Sequence, residues 1–322
     1  MPVIASSSFL PHLFFRQTDL QTILSSSLRK ASTPRYERQR LETPDGDFLD
    51  IDICKNNTTH LVVILHGLEG CSRSPYVKGM VSALRAGKFD IAAMNFRGCS
   101  GEPNRKPYSY HSGSSEDLSL AVGEFASHYE RISLVGFSLG GNVLLKYLGE
   151  HGSNIPACLY RAVAISTPIH LQSCAEQMAN VRNAFYMKRF LRMLKEKLEL
   201  KTKLFPSEVS LDDFESIKTF RQFDDRYIAP YWGFQDAVDY YQQSSALSVL
   251  SSITIPTLLL NAMDDSFLTP KCFPYSLASE SEVLFLETPK FGGHVGFFSN
   301  PLAKPYWSEV RAKLFLETEF PC

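Results

Sequence analysis

The chain has 322 residues, 44% of them hydrophobic and 21% charged, a balance that excludes a disordered or collagenous polypeptide. That length corresponds to roughly two units of about 150 residues, or to one enlarged α/β domain, and it buries enough surface to hold a core without a metal or disulfide. Lys and Arg number 33 against 34 Asp and Glu, and the net charge of -1 gives no global electrostatic reason to bind nucleic acid or an anionic membrane.

From the start of the chain, the segment Phe9 to Leu24 is mixed but apolar enough for a short packing helix. Tyr36 to Leu41 and Phe48 to Cys54 alternate on either side of Pro44-Asp45-Gly46-Asp47, which predicts a hairpin. The pattern then changes to short continuous apolar runs: Leu61 to Leu65, Phe89 to Phe96, Ile132 to Phe137, Ala162 to Ile165, Thr257 to Leu260 and Val283 to Leu286. Such runs are strands buried on both faces, as in a mostly parallel sheet. Segments of helical length separate them (Ser74 to Ala86, Ser114 to His128, Asn142 to His151), and this alternation predicts a doubly wound α/β fold.

Between Pro168 and Leu250 no buried strand is evident, and Asn180 to Leu200 reads as the clearest helix. An inserted helical lid is expected there. It divides the chain into a first core part (1–167), the lid (168–250) and a second core part (251–322). The lid is rich in Phe185, Tyr186, Met187, Phe190, Met193, Phe205 and Phe214, many of which must pack the lid while some face a cleft.

Gly136-Phe137-Ser138-Leu139-Gly140-Gly141 follows a predicted strand and precedes a predicted helix, the context in which G-x-S-x-G forms a sharp turn that lifts a nucleophilic serine out of a sheet. Side chains at Gly136 or Gly140 would collide across that turn. The turn also aims the Leu139 amide at an oxygen that becomes negative. Serine needs a base held by a third group. His294 lies in the Gly-rich loop Phe291 to Gly296 after the last strand, and Asp264-Asp265 follows the strand before it. Asp265 is the preferred acid, because Ser266 to Thr269 lead from it to Pro270, a spacing similar to that of many α/β hydrolases. Asp264 is then a loop-capping or solvated carboxylate. His66-Gly67-Leu68-Glu69-Gly70 follows the strand Leu61 to Leu65; it offers the Leu68 amide as a second oxyanion donor, with His66 ordering the loop.

With these residues the chain resembles the YheT-like group of α/β-hydrolase-fold esterases over nearly its whole length. The resemblance extends to Leu20-Gln21-Thr22, Asn95 to Gly101, Tyr110 to Gly113 with Asp117, Phe223-Asp224-Asp225 and Tyr240-Tyr241. Asp19 stands where the group usually has histidine, so no function is carried onto that element. The resemblance implies a Ser-Asp-His triad acting on carboxylic esters, with medium-chain acyl esters and phospholipids among the group's substrates. Arg97 and His111 either shape the mouth of the site or have a structural role, the preferred reading.

The expected activity is hydrolysis of short- to medium-chain esters through an acyl-enzyme on Ser138. Acyl transfer to an alcohol and a non-catalytic scaffold are the alternatives. No nucleotide or zinc-protease motif occurs, so no cofactor or metal is expected. The expected partner is a small-molecule ester, with no nucleic acid and no obligate protein. Arg182 to Lys203 carries eight basic residues against two acidic ones, with Phe190, Leu191, Leu194 and Leu198 along one side. Such a helix is either an ordinary lid helix with a solvated face, the preferred reading, or one that makes weak contact with a membrane surface. Seven scattered cysteines (54, 71, 99, 158, 174, 272 and 322) without a C-x-x-C pair fit a reducing, cytoplasmic location. The first fifteen residues lack the basic region of a signal peptide, and no run of 18 apolar residues occurs, so no spanning helix is expected.

Overall fold

A continuous apolar strand needs cover on both faces. In the run His60–Leu65, Leu61, Val63 and Leu65 enter one apolar layer while Val62 and Ile64 enter another, and all five are fully buried. The computed structural model, which describes residues 3–4, 6–29, 31–87 and 89–318, builds a nine-stranded sheet around this run. Cys322 and the last residues of the segment 251–322 lie outside the described residues.

In chain order the first part holds β1 Val3–Ile4, α1 Thr18–Ser27, β2 Glu37–Glu42, β3 Phe48–Cys54, β4 His60–Leu65, α2 Pro75–Arg85, β5 Asp90–Asn95, α3 Ser115–Ala126, β6 Arg131–Phe137, α4 Leu139–His151 and β7 Leu159–Ile165. A helical stretch follows: α5 Leu171–Met178, α6 Ala184–Leu204, α7 Phe220–Tyr227, α8 Ala229–Trp232 and α9 Ala237–Ser244. The chain then returns to the sheet with β8 Thr257–Leu260, α10 Tyr275–Glu280, β9 Leu284–Glu287 and α11 Trp307–Glu317. The strand order is β1-β9-β8-β7-β6-β4-β5-β3-β2. Every pairing is parallel except those of β3 with β2 and β5. Apolar residues of α2 and α11 share the layer on one face, and those of α3, α4 and α10 share the layer on the other. This is the doubly wound arrangement with a helical insertion expected from the run pattern.

The hairpin forms with Leu41 opposite Leu49, but its second strand has no solvent face. Asp50 and Asp52 alternate correctly yet are buried, because β3 lies inside the sheet. Arg40 and Arg38 stand directly opposite them on β2 and bind their carboxylates with paired bonds of 2.8–2.9 Å. The two-residue β1 is an addition to the expected strands. It joins the edge of the sheet beside β9.

Candidate active site

The backbone at Ser138 has φ 51° and ψ -119°, a region that non-glycine residues occupy only when their surroundings enforce it. Two glycines permit the turn, for different reasons. A Cβ on Gly136 would lie 2.5 Å from the carbonyl oxygen of Gly140, a collision across the turn as expected. A Cβ on Gly140 would instead lie 2.4 Å from the carbonyl oxygen of His66. Its smallness lets α4 start against the end of β4, which corrects the expectation that both glycines relieve the turn itself.

The structure brings Ser138, His294 and Asp265 into one hydrogen-bonded chain. Ser138 Oγ is 2.9 Å from His294 Nε2, and His294 Nδ1 is 2.8 Å from Asp265 Oδ2. The carboxylate can only accept, so Nδ1 carries the proton and Nε2 is free to accept one from the serine. Asp265 is almost fully buried, and its other oxygen accepts from the Phe267 amide at 2.9 Å. The Phe267 ring lies against the imidazole, with centroids 4.3 Å apart. Asp264 points elsewhere. It accepts from the Gly293 amide at 2.9 Å and from Thr18 Oγ1 at 3.1 Å, and so ties the histidine loop to α1. Burial raises its carboxyl above the ordinary value despite those bonds.

The loop after β4 lies over the elbow: a Cβ on Gly67 would be 3.2 Å from Ser138 Cβ. His66 orders this loop from both ring nitrogens. Nδ1–H donates to the Gly67 carbonyl at 2.7 Å, and Nε2 accepts from the Phe96 amide at 3.1 Å. Burial lowers its pKa to about 3, so it stays neutral. Among the described residues neither the Leu68 nor the Leu139 amide has a hydrogen-bond acceptor within the protein. Both residues line the same cleft as Ser138 and His294.

Several residues that shape the site had no role assigned from sequence. Thr22 Oγ1 accepts from the His294 amide at 2.9 Å. The buried Gln21 side chain donates to the carbonyls of Phe15 and Phe298 and accepts from the Phe298 amide. The Leu20-Gln21-Thr22 motif therefore fixes the histidine loop, and the motif itself was the available signal. Asp19 binds Tyr186 and Arg182, each at 2.9 Å, joining α1 to the helical insertion. Arg97 holds loops together: its Nε and Nη2 edge grips Asp117, and its Nη1 reaches Asp45 at 2.6 Å. His111 lines the cleft with its pKa lowered to about 3 by burial, and its Nδ1 accepts from the Gly113 amide.

The cleft opens to solvent and spans about 1200 Å³ when its open mouth is included. Its walls are mostly apolar, with Met178 on α5, Phe190, Leu194 and Leu198 on α6, and Phe223 and Tyr227 on α7. Of the aromatic and methionine residues expected to supply this wall, Phe190 does so. Met187 and Phe214 are buried in the apolar cluster of the insertion, Tyr186 packs on Phe267 and bonds Asp19 outside it, and Phe185 is exposed. The stripe Leu191, Leu194 and Leu198 is buried and Phe190 is half-buried, so this face of α6 is not free to lie on lipid. Nor is the basic run wholly solvated. Lys197 binds Glu69, and the buried Lys201 donates to Asn104 and to the Lys106 carbonyl. Among the described residues no cluster of three or more His, Cys, Asp or Glu could hold a metal ion, and no helix is long and apolar enough to cross a membrane.

Residues 60–301 match the family model of the alpha/beta hydrolase fold. The chain is 36% identical over 325 aligned positions to YheT of Escherichia coli strain K12, named for an esterase, covering 98% of this chain and 94% of that protein. It is 28% identical to the phospholipase ABHD3 of Mus musculus, covering 91% of this chain and 74% of that one. In structure it is similar to the Pyrococcus furiosus esterase Pf2001, with a TM-score of 0.59, 18% identity, and coverage of 88% and 91% of the two chains.

Proposed function

The chain belongs to the α/β-hydrolase family, in the group that contains YheT, and on that footing we propose that it is a serine hydrolase that cleaves short- to medium-chain carboxylic esters. The observation that carries this reading is the chain of bonds from Ser138 through His294 to Asp265, set on a strained elbow in the wall of an apolar cleft. Relatives named esterase and phospholipase support the same chemistry.

In this mechanism Ser138 Oγ attacks the ester carbonyl carbon while His294 Nε2 takes its proton. Asp265 holds the imidazole in the required tautomer and stabilises the imidazolium. The amides of Leu68 and Leu139 receive the oxyanion. Collapse of the tetrahedral intermediate expels the alcohol, which takes the proton from His294 and leaves an acyl group on Ser138. Water then attacks that acyl group by the same route in reverse. The scattered cysteines keep a cytoplasmic location within the proposal. Contact with a membrane surface would rest on the exposed basic residues of α6, such as Lys188, Arg189 and Arg192, rather than on its apolar stripe.

The test is Ser138→Ala, assayed on a p-nitrophenyl ester alongside labelling by a fluorophosphonate probe. Turnover is expected to fall by up to about 10⁶-fold and labelling to vanish, with the fold retained. Full activity of the folded variant would remove the assignment.

A further inference from the structure

Two motifs in the sequence, Phe223-Asp224-Asp225 and Tyr240-Tyr241, have no part in the chemistry above, yet they meet in the cleft. Tyr241 Oη–H on α9 donates to Asp224 Oδ2 on α7 at 2.6 Å. The neighbouring carboxylate is spent on the backbone. Asp225 Oδ1 accepts from the Ala237 amide at 2.7 Å and fastens α7 to the start of α9. Asp224 instead lines the cleft shared by Ser138 and His294, and among the described residues its Oδ1 has no protein partner.

Among the described residues the cleft wall contains one other carboxylate, Glu69, and Lys197 neutralises it. Asp224 has no cation within ion-pair distance among the described residues, and the cleft wall around it is largely aromatic, including Phe223, Tyr227, Tyr240 and Tyr241. A carboxyl held in such a wall by a single bond is costly unless another polar group satisfies it.

We infer that the Asp224–Tyr241 pair is a polar subsite of the Ser138 cleft and that it receives a hydroxyl group carried by the ester substrate. The inference rests on the ester-hydrolase reading and specifies its substrate class: esters with a free hydroxyl, either on the acyl chain or on a partly acylated polyol. A hydroxyl fits because it both donates and accepts. Burial, with repulsion from Asp225, raises Asp224 to about 7 against the bond from Tyr241, so both its protonation states are populated near neutrality. Tyr240 and Tyr241 are pushed well above the ordinary tyrosine value, and His111, packed on Tyr240, is neutral, so Asp224 is the group here that titrates near neutrality. A hydroxyl can donate to the carboxylate and accept from the carboxylic acid. An ammonium satisfies only the first form and a carbonyl only the second. A plain alkyl tail satisfies neither.

The experiment compares kcat/KM of the full chain on two ester pairs. One pair is p-nitrophenyl hexanoate and its ω-hydroxy counterpart, which places the hydroxyl on the acyl side. The other is ethyl hexanoate and glycerol monohexanoate, which places it on the alcohol side. The wild type should favour the hydroxylated member of one pair by about 10- to 100-fold, as expected for a hydrogen bond to a charged group. Asp224→Leu should bring that ratio close to one and Tyr241→Phe should lower it partway. Asp224→Ala replaces the leucine variant if the latter fails to fold. A ratio near one in the wild type for both pairs, or an unchanged ratio in a folded Asp224 variant, overturns the subsite alone. Failure of the wild type on all four esters, with Ser138 unlabelled, overturns the ester-hydrolase reading and the subsite with it.

Discussion

Lys197 on α6 donates to Glu69 Oε1 at 2.7 Å, so the helical insertion grips the residue that follows Leu68 in the loop over the elbow. The grip is shared. The Glu69 amide donates to Tyr110 Oη at 2.7 Å, and Tyr110 Oη–H donates back to Glu69 Oε1 at 2.9 Å. Glu69 itself sits at φ 52°, a left-handed conformation that sets the direction of the adjoining peptide planes. The carboxylate therefore connects the position of the insertion to the direction of the Leu68 amide.

Removing the cation should loosen that connection. Lys197→Met leaves a partly buried carboxylate without its ion-pair partner, a costly state that favours movement of the loop. If Leu68 donates to the oxyanion, kcat should fall by about 10- to 100-fold with KM little changed, below the loss of about 10²–10³ for complete removal of a donor. Steady-state kinetics on a soluble ester, with affinity for a boronic acid that forms a tetrahedral adduct, would check this. Unaltered kcat and adduct affinity would mean that Tyr110 alone fixes the loop.

The two adjacent carboxylates should separate under mutation. Asp265→Asn presents an amide to His294 Nδ1, which stabilises the wrong tautomer and no longer favours imidazolium, and a loss of about 10⁴ in kcat is expected. Asp264→Asn keeps an oxygen for the Gly293 amide and turns its amide nitrogen toward Thr18 Oγ1, which can accept from it while donating to the carbonyl of residue 264, and should cost far less. Parallel kinetics with thermal melts on both variants decide the matter. Equal losses, or a larger loss at Asp264, would move the acid role.

The elbow was legible in the sequence because its determinants are local: a strand, a small-residue turn and a helix within a few positions. Spacing alone favoured Asp265 over Asp264, and of the two it is Asp265 that bonds His294, while its role as the acid stays part of the proposal. Lys197 was not legible. In sequence it is one cation in a basic run, and only the packing of α6 against a loop 128 positions away turns it inward. The buried Asp50 and Asp52 were hidden likewise, since alternation shows that a strand has two faces but not that both are covered. The two-residue β1 is too short for any periodicity to announce it. Thr22 was marked only by a motif, because its bond to the His294 amide spans 272 positions.

The raised pKa of Asp224 has a consequence for stability. Its folded value, about 7, lies above the ordinary aspartate value of 3.8, so ionisation opposes folding. That penalty is absent below the unfolded value, grows as pH rises from about 4 to about 7, and is constant above. Asp224→Asn carries no such penalty. The difference in Tm between the variant and the wild type should therefore shift in the variant's favour from pH 4 to pH 7 and then level off. Melting curves across that range test it. A difference independent of pH would show that Asp224 titrates normally.

The apolar cleft predicts how rate depends on acyl length. Leu194, Leu198 and Phe190 on α6 and Met178 on α5 line it together with Ser138, so a chain leaving the acylated serine meets hydrocarbon. Each methylene buried there gains about 0.8 kcal/mol, or about fourfold in kcat/KM if the gain is realised in the transition state. For p-nitrophenyl esters kcat/KM should rise from acetate toward hexanoate or octanoate and fall once the chain outgrows the wall. Leu194→Trp fills part of that space and should move the maximum to shorter chains, because a well-packed wall accommodates the added volume poorly. Kinetics of both proteins on the same ester series give the answer. A wild-type maximum at acetate, declining steadily with length, would mean that the insertion closes off the acyl pocket instead of building it.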